Sequence, residues 1–123
     1  MGTRGTVKFY CKSGDDKDYY GGIYRQYDSY PEGLGLVLKT LLATKEFCNG
    51  ISHDYSNDDH FNGIGCLGAY VIKELKEKIG GIYLTTEDDT QAYDYEIYQI
   101  WGDPVIYIKI DNYDGPIGKY NPV

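Results

Sequence analysis

Pro31 divides the first half of the chain. A proline ring pushes the residue before it out of the helical region, so no helix runs through Tyr30. Proline itself sits well in a first helical turn, where its missing N–H is no loss. The residues on its two sides read differently. Tyr24-Arg25-Gln26-Tyr27 is aromatic and β-prone. Asp28 and Ser29 form turns and caps, because their side chains bond nearby backbone N–H groups. After the proline, the charge of Glu32 suits the positive end of a helix dipole. Leu34, Val37, Leu38, Leu41 and Leu42 then recur at helical spacing, with Lys39 and Lys45 off that stripe. The stretch from Tyr24 to Gly35 is a strand-to-helix junction with tyrosines on both sides.

The rest of the chain arranges itself around that junction. Thr6 to Lys12 alternates and reads as a first strand, Ser13 to Asp18 as a polar turn, and Tyr19 to Tyr27 as a second strand. Gly21-Gly22 marks a bulge or a close backbone approach. The first helix is expected from about Glu32 to Phe47, ended by Cys48-Asn49-Gly50. Residues 49–61 form a polar loop. Asn62 is placed to cap a second helix running to about Lys78, with Ile64, Leu67, Val71, Leu75 and Ile79 as its stripe and Gly80-Gly81 as its stop. Ile82 to Thr86, Tyr93 to Trp101 and Val105 to Ile110 read as three more strands. Glu87 to Ala92 is an acidic turn, Gly102-Asp103-Pro104 turns the chain again, and the tail from Asp111 reads as irregular. The order ββ-αα-βββ predicts a single α+β domain over residues 1–123. Its largely antiparallel sheet has about five strands, with two helices on one face and a tyrosine-rich opposite face.

Charge and cysteine count narrow the function classes. The net charge of −7 opposes general nucleic-acid binding, which needs a basic footprint, and opposes anionic membrane surfaces. Three cysteines at Cys11, Cys48 and Cys66 match no zinc or disulfide spacing and suit a reducing compartment. No run suggests a signal peptide or reaches membrane-spanning length, so a cytoplasmic location, or one inside a particle, is expected. Met1-Gly2-Thr3-Arg4-Gly5-Thr6 spells a myristoylation pattern, but it runs straight into the first strand. Tyrosine is the compositional outlier, with 15 residues against 3 Phe and 1 Trp. Tyrosines suit half-buried sheet positions and also protein interfaces.

Thr3 and Arg4 near the start, with Tyr24, Asp28, Tyr30, Pro31, Gly33 and Gly35 at the junction, spell (Ser/Gly)-Thr-Arg and Tyr-x-x-x-Asp-x-Tyr-Pro-x-Gly-x-Gly. In these motifs the first third of the chain resembles a family of small phage and viral proteins with scattered cellular relatives. Many members have His-Trp before the aspartate, where this chain has Gln26-Tyr27. The resemblance implies a shared fold and a viral or mobile-element setting. It implies no reaction.

Few residue groups could carry chemistry. Gly63-x-Gly65-x-x-Gly68 spells a dinucleotide fingerprint, but a polar loop precedes it instead of a strand, so close helix packing is the better reading. A helix N-terminus there could still hold an anion. His53, Asp54, Asp58, Asp59 and His60 are metal-ligand types in one loop, without a known metal spacing, and His53, Asp58 and His60 are the candidate ligands. Pairing of the first two strands would bring Arg4 near Asp28, as a structural ion pair or as a pocket. In the pocket Arg4 grips a phosphate or carboxylate while Tyr24, Tyr27 or Tyr30 stacks on a ring. Glu87, Asp88 and Asp89 read as a solvated turn tip.

These readings favour a non-enzymatic accessory protein, without a cofactor, that binds a protein partner or itself through the tyrosine-rich sheet face. One alternative is sequestration of a nucleotide or other small anionic ligand at Arg4, Tyr24, Tyr27, Asp28 and Tyr30. A second is a metal-dependent hydrolase built on the His53–His60 loop.

Overall fold

The computed structural model describes residues 2–48 and 59–122. Strand β1 (Gly5–Ser13) and strand β2 (Asp16–Arg25) form the expected antiparallel hairpin. A wide π-type turn (Pro31–Gly35) leads into helix α1 (Leu36–Leu42). Two short strands, β3 (Glu46–Phe47) and β4 (His60–Phe61), pair in parallel before helix α2 (Gly63–Leu75). Strands β5 (Ile82–Thr85), β6 (Tyr93–Ile100), β7 (Tyr107–Ile110) and β8 (Tyr113–Pro116) follow, then a 3₁₀ turn (Ile117–Lys119). The main sheet has six strands in the order β5-β2-β1-β6-β7-β8. All its pairings are antiparallel except β1 with β6.

Strand parity decides which residues form the core. Val7 pairs with Ile23 and Tyr95, Phe9 pairs with Ile97, and Ile97 pairs with Ile108, so these side chains share one face. Both helices cover that face. Leu34, Leu38, Leu42, Ile64, Leu67 and Val71 join the same buried cluster. Gly68 sits directly on Phe9: a Cβ built there would lie 3.2 Å from the ring. That glycine therefore serves helix-on-sheet packing.

The structure corrects four expectations, one being that α2 ends at Leu75, short of Lys78, which leaves Ile79 exposed. Helix α1 ends at Leu42 instead of reaching Phe47. Beyond it, Glu46, Phe47 and Cys48 give their N–H groups to the carbonyls of Asp59, Pro104 and Phe61, which drives the buried Phe47 into the core as a strand. The tail is not irregular, because Tyr113–Pro116 adds an edge strand, where proline is tolerated. Asn62 makes no side-chain cap bond. The side chain of Gln99 on β6 instead accepts the Ile64 N–H at 2.9 Å, so the start of α2 is tied to the sheet.

The hairpin shows both features foreseen at Gly21-Gly22. The register shifts between Phe9 and Tyr10, leaving Tyr20 as the extra residue, and Gly21 adopts φ +147°, open only to glycine. At Gly22 a Cβ would meet the Tyr19 hydroxyl at 2.8 Å.

Candidate functional site: the junction and the uncovered sheet face

The junction is a backbone lock. Ser29 N–H donates to the Thr3 carbonyl at 3.1 Å, and Leu34 N–H donates to the Asp28 carbonyl at 3.0 Å. Asp28 takes φ +52°, a left-handed turn that aspartate tolerates better than most residues. Ser29 is fully buried, and its hydroxyl reaches the Arg25 carbonyl at 3.3 Å. The hydroxyl of Tyr95, from the middle of β6, donates to the Ser29 carbonyl at 2.7 Å. Gly5 passes so close that a Cβ there would lie 2.5 Å from Cβ of Ser29 and 2.7 Å from the Tyr93 carbonyl. At Gly33 a Cβ would run into the Asp28 carbonyl.

The candidate ligand residues at this junction have separate surroundings. Arg4 and Asp28 are both exposed, and no ion pair joins them. Tyr24 pairs its ring with Tyr83 of β5 at 6.0 Å. Tyr27 lies 5.2 Å from the Arg25 guanidinium and close against Gly81. Tyr30 is exposed at the start of the π-type turn. Of the metal candidates, His53 and Asp58 lie outside the described residues. His60 Nε2 stands 3.6 Å from Glu46 Oε1, at the surface, where β3 and β4 pair. Among the described residues no three His, Cys, Asp or Glu side chains converge to hold a metal.

The most organised polar arrangement lies on the sheet face that neither α1 nor α2 covers. Tyr19, Tyr10, Tyr98 and Tyr107 are mutual register partners across β2, β1, β6 and β7. They form one continuous row. Tyr10 and Tyr19 have ring centroids 5.6 Å apart, and Tyr98 and Tyr107 stack at 5.2 Å. Lys12 lies 3.7 Å over the Tyr98 ring and Lys17 lies 4.3 Å over Tyr10, distances at which an ammonium is attracted to a ring face. The hydroxyls are spoken for: Tyr19 donates to the Thr85 carbonyl, Tyr98 to Asp114, and Tyr107 to Asp103 at 2.6 Å. Next to this row runs a second one of alternating sign, Lys8, Glu96, Lys109 and Asp114. A third continues through Tyr83, Tyr24, Thr6 and Asp94, where Thr6 donates to Asp94 at 2.5 Å.

Burial and neighbouring carboxylates set the ionisation of the row. Tyr10 and Tyr98 are pushed well above the ordinary tyrosine value, first by burial. For Tyr10, Glu96 and Glu87 add to this, and for Tyr98 the hydrogen bond to Asp114 does. The face therefore stays a layer of neutral phenols between mixed charges over the whole physiological range.

Sequence reasoning found the tyrosine excess but not the row. Within one strand, parity separates Tyr98 from Tyr95, but alignment of the four rings depends on which strands are neighbours. Among the described residues no helix is long and apolar enough to cross a membrane. No protein-family model, curated protein or solved structure matches this chain.

Proposed function

We propose that the chain is a binding protein that docks a protein partner, its own second copy included, on the uncovered tyrosine face, and that it works as a viral or mobile-element accessory. The observation that carries this reading is the in-register tyrosine row, with Tyr24 and Tyr83 beyond the charged row on the same face, opposite both helices. Tyrosine brings large contact area at low side-chain entropy cost. The sheet edges are poorer docking sites. At β5 the N–H of Ile82 is taken by the Gly80 carbonyl and its own carbonyl by Lys76 Nζ at 2.7 Å. The other edge carries Pro116, which has no N–H to offer a new strand.

Site-specific photocrosslinking tests this. A benzophenone amino acid replaces the exposed Tyr83 or Lys109 on the face, and the exposed Leu36 on helix α1 serves as control. Defined crosslinks to the chain itself or to one partner protein are expected from the two face positions only. Equal yield from Leu36, or none from the face, refutes the reading.

A further inference from the structure

The end of the sheet carries a second feature, joined to the tyrosine row through the Tyr107–Asp103 hydrogen bond. Trp101-Gly102-Asp103-Pro104 joins β6 to β7 in a tight turn. Gly102 takes φ +85°, and Asp103 N–H closes the turn on the Ile100 carbonyl at 2.9 Å. Trp101 N–H donates to the Lys12 carbonyl at 2.8 Å, yet its side chain is 69% exposed. Phe47 N–H donates to the Pro104 carbonyl at 2.8 Å, which draws β3 against the turn. Phe47, Cys48, Gln99 and the four turn residues enclose a cleft of about 300 Å³. That is the lower end of small-ligand sites, enough for one side chain or a small amine.

The cleft has a fixed negative charge beside its tryptophan. Asp103 Oδ1 accepts the Val105 N–H at 2.9 Å, and Oδ2 accepts the Tyr107 hydroxyl at 2.6 Å. The Tyr107 hydroxyl, and then the Val105 N–H, hold this carboxyl below the ordinary aspartate value. Among the described residues no lysine, arginine or histidine pairs with it. The neighbouring Lys12 is engaged over Tyr98 instead. Gln99 holds the start of α2 with its side-chain oxygen, which accepts the Ile64 N–H. The cleft thus combines an open indole, the apolar Phe47 and Pro104, and an ionised carboxylate in a chain of net charge −7. Anions are repelled by this set, and a cation gains from both the indole face and the carboxylate. We propose that the cleft at Trp101 binds an organic cation, an alkylammonium or guanidinium on an apolar stem, with the stem against Trp101 and Pro104 and the charge at Asp103.

Trp101 is the chain's single tryptophan, so its emission reports on this cleft alone. The intact protein is titrated with phenethylammonium, its neutral counterpart 2-phenylethanol, and the blocked amino acids N-acetyl-lysine methylamide and N-acetyl-arginine methylamide. A saturable emission change is expected with at least one cation, with binding roughly tenfold weaker for the alcohol and for Asp103→Asn, as loss of a charged partner implies. Tighter binding of the free amine identifies a small-molecule ligand, and tighter binding of a blocked amino acid identifies a basic side chain of a partner. Asn keeps an acceptor for Val105 N–H, and circular dichroism checks the fold. Should that variant unfold, Trp101→Leu at an exposed position, read by calorimetry, must abolish binding. The proposal is overturned if no cation saturates, if the alcohol binds equally well, or if both variants bind like the parent.

Discussion

Alkali should unfold this protein cooperatively, and buried tyrosines set the slope. Tyr10, Tyr95 and Tyr98 are at most 5% exposed, and all three phenols are pushed above their ordinary value, first by burial. A group with a raised folded-state pKa contributes stability that is fully present below its unfolded pKa, about 10 for tyrosine, and is lost as pH rises toward the folded value. In that window the unfolded chain releases a proton that the fold retains. Each such phenol lowers stability by about 1.4 kcal/mol per pH unit. At one unit above the unfolded value the three together remove at most about 4 kcal/mol, and at two units about 8 kcal/mol. A domain of this size holds on the order of 5–15 kcal/mol, so the midpoint falls within roughly one to three units above pH 10.

The assay is a urea midpoint series from neutral to alkaline pH, with phenolate absorbance followed alongside far-UV circular dichroism. The midpoint should be flat up to about pH 9 and then fall steeply. Phenolate should appear in the same transition that removes the far-UV signal. Tyr95→Phe should remove at most about a third of the slope, since the buried Tyr120 phenol is raised as well, while costing about 1–3 kcal/mol at neutral pH, because the buried Ser29 carbonyl loses its donor. Smooth ionisation of all tyrosines near their ordinary value, with the far-UV signal intact, would refute the argument.

Three further substitutions probe the junction and core. Gly5→Ala forces a methyl against Ser29 and the Tyr93 carbonyl and should cost about 2–4 kcal/mol in chemical denaturation, since neither neighbour can retreat without opening the lock. Asp28→Gly relieves the left-handed backbone but adds unfolded-state entropy, so stability should change by less than about 1 kcal/mol; a larger loss would show that the carboxylate itself holds the turn. Leu38→Ala removes a fully buried side chain beneath the sheet and should cost about 2–5 kcal/mol by the same measurement.

Local signals carried the parts of this fold that were legible beforehand. The turn at Ser13 to Asp18 and the alternation beside it placed the first hairpin, and Pro31 placed the start of the first helical segment. Of the expected stripe Ile64, Leu67, Val71, Leu75 and Ile79, the first three placed α2 and are buried, Leu75 is partly buried at its end, and Ile79 lies beyond the helix and is exposed. The errors arose where a distant partner decided the outcome. Phe47 continues an apolar helical pattern, yet its backbone bonds to Pro104 and its strand pairs with β4. Strand β8 contains Gly115-Pro116, a turn signal by composition, and forms only because β7 offers it an edge. The parallel pairing of β1 with β6 joins Thr6 to Asp94, 88 positions apart, and alternation reads the same whichever strand lies beside it.

The tyrosine excess divides by the same logic. On β6, Tyr95 shares parity with Ile97 and goes inward, where its hydroxyl secures the junction. Tyr98 has the opposite parity and joins the outer row. That division follows from one strand alone. The capping of the row does not, because Lys12 and Lys17 reach Tyr98 and Tyr10 only once β2, β1 and β6 lie side by side. The caps also grade the row as a binding surface. Tyr10 and Tyr98, each with a lysine within 4.3 Å of the ring centroid, are 4% and 5% exposed, whereas Tyr83, with Lys76 Nζ farther off at 5.5 Å, is 49% exposed. On the docking proposed above, a partner would meet Tyr83 and the lysine ammoniums first, and would reach the inner rings only by drawing Lys12, and Lys17 out of its 2.8 Å ion pair with Glu96, into its own carboxylates or carbonyls. The partner that this proposal calls for carries acidic groups at the centre of its interface and an apolar rim facing Tyr83.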